Sequence, residues 1–133
     1  MSLRPDLRAL VDAAKALQGK FALADDFTAG AVAAALRTEG GRVHTGICLD
    51  LACGIGFCAE HAAAAEMLKH RERHVVAIAA VGKRGLLPPC GRCRELLLQV
   101  DPRNAGCLVV LRGDRIMPLS ELLPEHWLDA DDA

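Results

Sequence analysis

Aromatic side chains are scarce in this sequence. Its 133 residues include no tyrosine, three phenylalanines and one tryptophan. A flat, ring-shaped ligand would therefore have few side chains to stack on, apart from histidine rings. The candidates are Phe21, Phe27, Phe57 and Trp127. The sequence thus gives little support for a pocket built on aromatic stacking.

The sequence also lacks a strong charge bias and a long apolar run. Its formal net charge is −1, which argues against a dedicated nucleic-acid or anionic-membrane surface. No apolar run approaches the roughly 20 residues that a membrane span needs. The first residues carry no signal-peptide core, so the default prediction is a cytoplasmic protein.

The apolar content is sufficient for one core. Hydrophobic residues make up 52% of the chain, which is typical of a globular protein rather than a disordered one. A chain of this length can bury about 70% of its unfolded surface. We therefore predict a single domain that spans residues 1–133.

Helical and extended patterns alternate along the chain. Helices are predicted at residues 7–17, 60–70, 91–100 and 119–123, and strands at residues 31–37, 43–49, 74–81, 107–112 and 115–118. The first two strands should form an antiparallel hairpin through Gly40-Gly41, and strands joined by helices should run parallel. This order predicts a layered α/β domain with helices packed on a sheet.

The six cysteines fall into two groups. Without a secretion signal, they indicate free thiols rather than a disulfide framework. Cys48, Cys53 and Cys107 lie in apolar or glycine-rich surroundings, so we predict that they are small buried residues. The other three belong to two short motifs, Cys58-Ala59-Glu60 and Pro89-Cys90-Gly91-Arg92-Cys93.

Together the two motifs have the composition of a catalytic zinc site. Three thiols can hold one zinc ion and leave a fourth position for water, whereas structural zinc sites usually have four protein ligands. Cys90 and Cys93 would point the same way on a first helical turn, and Cys58 is predicted to lie at the start of another helix. Two helix N-termini would then converge on the ion and favour the thiolate forms.

Neighbouring residues suit supporting roles. Glu60 could move a proton between the water and a substrate. Pro89 fixes the start of the helix that carries two of the thiols. Arg94 is the preferred hydrogen-bond donor to a thiolate, and the backbone N–H of Ala59 could bind the developing polar centre of the reaction.

Three other interpretations of these motifs are open from the residues alone. A structural zinc site would need a fourth ligand, which His61, His70 or His74 could supply. The two thiols of the second motif could instead form a redox disulfide. Glu60 could be an ordinary solvated carboxylate at a helix start.

The motif pair and its surroundings resemble the small cytidine deaminase family, including its blasticidin S deaminase relatives. The resemblance covers residues 27–127. Residues 27–31 are similar to the family's F-x-V-G-A strand start, and residues 121–124 to its C-terminal E-L-L-P segment. It implies a three-layer α/β/α sandwich with a five-stranded mixed sheet, a zinc cofactor and hydrolytic deamination. It also implies a homo-oligomer, usually a tetramer and otherwise a dimer, in which Trp127 lies against a substrate.

Three positions depart from the family's nucleoside enzymes. Their G-x-N-x-E-N segment, whose Asn and Glu hold the ribose hydroxyls, corresponds to residues 46–51, with Cys48 in place of the Asn and Asp50 in place of the Glu. His61 replaces an arginine that helps to neutralise the thiolates. Because a thiol is a weak donor, we predict a changed sugar pocket with Phe27, Cys48, Asp50, Ala59 and Trp127 as candidate binding residues.

The predicted function is zinc-dependent hydrolytic deamination of an amino-pyrimidine nucleoside, such as cytidine, deoxycytidine or a modified cytidine, to the uridine-type product with release of ammonia. Plain cytidine should be a poor substrate. A blasticidin S-type antibiotic deaminase is the main alternative. A nucleic-acid editing deaminase fits the neutral charge poorly, and a non-catalytic zinc domain would make Glu60 dispensable. The predicted partners are a small-molecule nucleoside and further copies of the chain, without a membrane or nucleic acid.

Overall fold

A computed structural model describes residues 3–129, so residues 1, 2 and 130–133 of the predicted domain lie outside the described range. Within that range the chain forms seven strands: β1 Phe21–Ala24, β2 Phe27–Thr38, β3 Val43–Asp50, β4 Val75–Gly82, β5 Gly85–Leu87, β6 Leu108–Leu111 and β7 Arg115–Pro118. Four α-helices accompany them: α1 Pro5–Leu17, α2 Ala59–Lys69, α3 Gly91–Val100 and α4 Leu119–Leu122. No helix within residues 3–129 has the length and apolarity of a membrane span.

The sheet is mixed and is built around the long strand β2. β2 pairs antiparallel with β3 on one edge and with β4 on the other. β4 pairs parallel with β6, and β6 pairs antiparallel with β7. The predicted hairpin of β2 and β3 is therefore confirmed. The predicted parallel directions across α2 and α3 are confirmed too, since β3 and β4 run the same way with β2 between them.

Two short strands raise the count from the predicted five to seven. β1 pairs with the first residues of β2, and β5 pairs with the last residues of β4. All four residues of β1 are exposed, so this strand has no alternating pattern to detect. β5 has only three residues. The five strands β3-β2-β4-β6-β7 form the body of the sheet, as the family resemblance implies.

Alternating residues of the sheet face two helical layers. On β2, Ala34 and Leu36 are buried in a cluster with residues of α2 and α3, whereas Ala35 is buried with residues of α1. On β4, Ile78 and Ala79 face these two layers in the same way. The period of two follows from the pleat of a strand. The three-layer α/β/α sandwich that was expected from the resemblance is therefore present.

Helix α2 approaches strand β3 very closely at Gly46. A Cβ atom on Gly46 would lie 2.5 Å from the backbone nitrogen of Ala63 and 2.7 Å from the carbonyl oxygen of Ala59. Both distances are shorter than any ordinary contact with backbone, so only glycine permits this packing. The small side chains of Ala59 and Ala63 are fully buried at the same contact. These small residues therefore allow the first turns of α2 to pack directly against β3.

The buried side chain of Asn104 connects helix α3 to strand β4. Its Oδ1 accepts a hydrogen bond from the backbone N–H of Val75 at 2.7 Å, and its Nδ2 donates to the carbonyl of Leu97 at 2.8 Å. Asn104 has no exposed surface, and its bonds satisfy backbone groups that would otherwise be buried without partners. This contact fixes α3 relative to the sheet.

Candidate active site

The three motif cysteines meet at the N-terminal ends of two helices. Cys58 directly precedes α2, Cys90 directly precedes α3, and Cys93 lies in the first turn of α3. The Sγ atoms of Cys58 and Cys90 are 3.6 Å apart, and those of Cys90 and Cys93 are 3.4 Å apart. All three sulfurs lie within 4.8 Å of one another. The fold therefore brings the two sequence motifs into one cluster.

The spacing of the sulfurs suits a single metal ion. A tetrahedral ion with Zn–S bonds of about 2.3 Å places neighbouring sulfurs about 3.8 Å apart. The measured separations are close to that value, so small rotations of the side chains would be sufficient. Both helices also direct their N-terminal ends at the cluster, where the helix dipole favours negative charge. These three thiols could hold a metal ion.

The protonation of the thiols depends on their depth. Burial, and then the nearby charge of Glu60, raises the pKa of Cys93, and burial raises the pKa of Cys58. At Cys90 burial acts in the same direction, but hydrogen bonds from the backbone and side chain of Cys93 outweigh it and lower the pKa. A buried thiolate needs a counter-charge, and a bound cation would supply it.

Glu60 is a buried carboxyl group beside the thiols. It lies in the first turn of α2 with 5% of its surface exposed. Burial raises the pKa of this carboxyl, and hydrogen bonds from its own backbone N–H and then from Cys93 partly offset that effect. Such burial differs from the solvated carboxylate that was one of the open interpretations. Glu60 therefore has the position of a group that can exchange protons with a molecule bound at the cluster.

Of the two side chains predicted to support the thiols, His61 contacts one of them and Arg94 bonds elsewhere. His61 places its Nδ1 atom 3.4 Å from Sγ of Cys93. Arg94, the preferred donor to a thiolate, instead donates from Nε to the carbonyl of Pro89 at 2.9 Å and from Nη1 to the carbonyl of Leu122 at 2.8 Å. The predicted Arg94–sulfur contact is therefore corrected. The side chain runs toward α4, and it acts on the cluster by holding the buried Pro89 just before Cys90.

Of the three histidines considered as a fourth zinc ligand, only His61 adjoins a thiol in the described part of the chain. His70 directly follows α2, at the opposite end of that helix from the thiols, and His74 comes just before β4. Cys90 and Cys93 are free thiols rather than a disulfide. Of the remaining cysteines, Cys48 and Cys107 are buried as predicted.

The prediction for Cys53 is wrong, because this residue is exposed. It lies in a short 3₁₀ turn, residues 52–54, with a φ of 66°. A local turn of this kind carries its side chain away from the sheet. Apolar neighbours in the sequence therefore did not predict its environment.

An open depression of about 420 Å³ leads to the thiol cluster and is lined in part by Asp50, Phe57, Cys58 and Arg92. Cys48 lies behind Asp50. Its thiol donates to Oδ2 of Asp50 at 3.4 Å and accepts from the backbone N–H of Val32 at 3.3 Å. The thiol is therefore engaged inside the protein, and Asp50 is the member of this pair that faces the depression.

The other predicted binding residues lie at different depths around the site. Ala59 is the first residue of α2 and is fully buried. Phe27 is half-buried at the start of β2, next to the residue that pairs with Asp50. Trp127 is 58% exposed, and its backbone N–H donates to Oε1 of Glu95 at 2.8 Å. The structure brings Ala59 and Asp50 to the cluster and leaves the Trp127 side chain largely in solvent.

Phe57, so far considered only as a possible stacking residue, and Arg92 also line the depression, and neither was a predicted binding residue. Phe57 forms an antiparallel bridge with Leu49, with N···O distances of 3.0 and 3.2 Å, and it directly precedes Cys58. Arg92 lies between the two thiols of the second motif. In both cases adjacency to a thiol was the signal that could have identified the residue.

No family model matches the chain. The chain is 36% identical over 104 residues to the cytidine deaminase of Halalkalibacterium halodurans, covering 75% of this chain and 79% of that protein. It is 33% identical over 99 residues to the cytidine deaminase of Mycobacterium tuberculosis, covering 73% and 72%.

Solved structures give the same result. The crystal structure of cytidine deaminase from Mycobacterium tuberculosis superposes with a TM-score of 0.77 and 29% identity, covering 93% of this chain and 98% of that one. Cytidine deaminase from Burkholderia pseudomallei superposes with a TM-score of 0.73 and 35% identity, covering 90% and 98%.

Proposed function

The chain belongs to the cytidine deaminase family, and on that basis we propose that it is a zinc-dependent hydrolase that converts an amino-pyrimidine nucleoside to the uridine-type product and ammonia. One observation carries the proposal. Three thiols and a buried carboxyl group converge where α2 and α3 begin. The metal ligands and the group that moves protons are thus in one place.

The ligands of the zinc ion would be Cys58, Cys90 and Cys93. When bound, zinc supplies Lewis acidity that makes a water molecule more acidic. The thiolates carry one more negative charge than the ion can balance. The N-termini of α2 and α3 offset part of this charge, and Nδ1 of His61, 3.4 Å from Sγ of Cys93, can donate a hydrogen bond to a thiolate there when it carries the ring proton. The chain therefore provides the ligands and part of the charge compensation.

Glu60 moves the protons of the reaction. Water adds through its oxygen to the ring carbon that bears the amine, and Glu60 accepts the water proton and passes it to the neighbouring ring nitrogen. Glu60 next takes the proton of the hydroxyl group now on that carbon and delivers it to the amine, the carbon–nitrogen bond breaks as the carbonyl forms, and the amine leaves as ammonia. The burial of the carboxyl group supports this role, because bulk water is kept away from it.

The sugar of the substrate would be bound differently from that of the family's nucleoside enzymes. Asp50 lines the depression and can accept a hydrogen bond from a hydroxyl group. Cys48 stands where the family has an Asn, and its thiol is already paired with Asp50 and Val32. We therefore expect a lower kcat/KM for cytidine than for a nucleoside whose sugar makes one hydrogen bond fewer to the protein.

The test is ammonia release by the zinc-loaded protein with cytidine, deoxycytidine and base-modified cytidines. The variant Glu60→Gln should keep its zinc and lose activity by about 10²- to 10⁴-fold, the usual contribution of a proton-transfer group. Glu39→Gln is a matched control, because Glu39 is exposed in the turn after β2. Zinc content is measured on every sample.

Two results would contradict the proposal. The zinc-loaded protein could release no ammonia from any of these nucleosides. Alternatively, Glu60→Gln could retain the activity of the wild type, in which case the carboxyl group would have no part in the reaction.

We also propose that the protein is a homo-oligomer. Exposed apolar side chains support this: Phe21, Leu23, Ile55 and Trp127 are each more than half exposed. Such surface is costly to leave in water. Light scattering after size exclusion measures the mass directly, and a monomer at micromolar concentration would contradict the proposal.

A further inference from the structure

A second group of potential metal ligands lies at the other end of α2. His44 on β3, Glu66 on α2 and His70 directly after α2 each place a ring nitrogen or carboxylate oxygen within 4.8 Å of the others. They line an open cavity of about 360 Å³. We propose that this cluster binds one transition-metal dication of the nickel or zinc type, for which two imidazoles and a carboxylate are suitable ligands.

His44 is oriented as a ligating histidine would be. It is 5% exposed, and its Nε2 lies 3.0 Å from Oε1 of Glu72. Thr38 donates a hydrogen bond to the same carboxylate at 2.6 Å, and Nε of Arg42 lies 4.0 Å from its Oε1, so the surroundings of Glu72 suit an ionised carboxylate. An ionised carboxylate only accepts hydrogen bonds, so Nε2 carries the ring proton.

The lone pair of His44 is consequently on Nδ1. Among residues 3–129, the side-chain hydrogen bond of the His44 ring is made by Nε2, and none is found at Nδ1. A carboxylate that holds one ring nitrogen while the other nitrogen is free is the usual arrangement around a metal-bound histidine. The cluster thus has one buried ligand with its tautomer already fixed.

His70 is the exposed ligand, and it is paired with an arginine. Nη1 of Arg42 lies 3.2 Å from Nδ1 of His70, and Nε2 of His70 lies 3.3 Å from Oε1 of Glu66. A guanidinium group only donates, so Nδ1 accepts and Nε2 carries the proton. If a cation binds Nδ1, it displaces Arg42 directly. If it binds Nε2, the proton moves to Nδ1, which can then no longer accept from Arg42. Either route expels the guanidinium.

The charges around the cluster favour the replacement of its side-chain cations by a metal ion. Arg42 and Lys69 occupy the cluster in the present structure, with Nζ of Lys69 3.1 Å from Oε2 of Glu66. Both side chains are more than 60% exposed, and ion pairs at that exposure are weak. The carboxylates of Glu66 and Glu72 balance the charge of a dication, and the C-terminal end of α2 adds negative potential. A metal ion held by three ligands would therefore replace two weakly held side-chain cations, Arg42 and Lys69.

The experiment titrates Ni²⁺ into the zinc-loaded protein by calorimetry, and measures the thermal midpoint with and without excess Ni²⁺. Zinc release is monitored, so that exchange at the thiols is recognised. The wild type should bind one equivalent of Ni²⁺ and gain thermal stability, because a ligand that binds only the folded state stabilises it. His70→Gln and Glu66→Gln should each weaken binding at least about tenfold, since each removes a ligand.

His74→Gln is the matched control. Its imidazole is likewise paired with a glutamate, Nδ1 lying 3.1 Å from Oε2 of Glu39, but it is outside the cluster. This variant should bind Ni²⁺ like the wild type. Arg42→Gln is a second test, because its expected result would not follow if the cluster were only a structural network of ion pairs. Removing the guanidinium should tighten Ni²⁺ binding severalfold.

The proposal is overturned if the zinc-loaded wild type binds no Ni²⁺ without losing zinc. It is also overturned if His70→Gln and Glu66→Gln bind as tightly as the wild type, or if Arg42→Gln binds more weakly. These variants leave Cys58, Glu60, Cys90 and Cys93 in place. The deaminase activity of the protein can therefore fail or hold independently of this result.

Discussion

The two ends of helix α2 present opposite chemistry. At the N-terminal end, the helix dipole is positive and meets sulfur ligands and the buried Glu60. At the C-terminal end, the dipole is negative and meets Arg42, Lys69 and a group of imidazoles and carboxylates. The first group lies at two helix starts, whereas in the second group His44 is buried and the side chains of Glu66 and His70 are about 40% exposed. One helix can thus hold a permanent site at one end and an exchangeable one at the other.

Removing a buried thiol should have the largest effect at the N-terminal end. Cys93 is fully buried in the cluster, so Cys93→Ala should abolish zinc retention and lower activity by at least about 10³-fold, since ligand and cofactor are lost together. Zinc analysis and ammonia release measure both losses. Cys53→Ala is the control, because that thiol is exposed in a turn. If Cys93→Ala kept its zinc, the thiols at the N-terminal end of α2 would not form the permanent metal site.

The close packing of α2 on β3 at Gly46 supports both ends of the helix. Gly46→Ala forces a methyl group against the backbone of Ala59 and Ala63, so α2 must move away from β3. We expect a loss of about 1–3 kcal/mol of unfolding free energy and a fall in Tm of about 5–10 °C. Gly106→Ala is the control, because a Cβ there meets no atom within 4 Å. An unchanged Tm would show that the two elements are less tightly coupled than they are in this structure.

A milder change concerns sugar recognition at the N-terminal end. Cys48→Asn restores the residue that the family's nucleoside enzymes carry, and should raise kcat/KM for cytidine by roughly tenfold, the equivalent of one added hydrogen bond. Steady-state rates of uridine formation measure the change. Cys48→Ala separates the added amide from the loss of the thiol. Equal gains in both variants would refute the hydrogen-bond explanation.

The smallest effect is expected at Glu72, at the C-terminal end. The hydrogen bond from Thr38, and then that from His44, lowers the pKa of this carboxyl group. Its contribution to stability is therefore present above the ordinary pKa of about 4.3 and disappears as the pH falls through the lower value of the folded state. Glu72→Gln should be less stable than the wild type at pH 7, and the difference should shrink below pH ~4. Urea unfolding across this range measures it, and a difference independent of pH would contradict the assignment.

Each half of the N-terminal cluster could be predicted from the sequence because its residues are neighbours in the chain, and the family resemblance then joined the two halves. Cys58 with Glu60, and Cys90 with Cys93, are fixed by helix geometry alone. The C-terminal cluster could not be predicted in this way. His44 meets Glu66 and His70 only because β3 packs on α2 at one particular register, and Gly46 determines that register through a contact that no local pattern encodes.

Other differences have equally local causes. Arg94 was expected at a thiolate, but carbonyl oxygens of Pro89 and Leu122 are within its reach, and the position of α4 was not available from the sequence. The layers of the fold were predicted correctly, because the apolar runs of β2 and β4 suit strands that are buried on both faces and the family resemblance implied helices on both sides of the sheet. Strand β1 was missed because none of its residues is buried.

The scarcity of aromatic residues gives the protein a single intrinsic reporter. With no tyrosine and one tryptophan in the chain, near-ultraviolet fluorescence comes almost entirely from Trp127. Its ring is largely in solvent, while its backbone is held by Glu95 on α3, the helix that carries Cys93. Assembly of subunits over that ring, or closure of the chain end over a bound molecule, would therefore be visible in unlabelled protein as a change in one emission band.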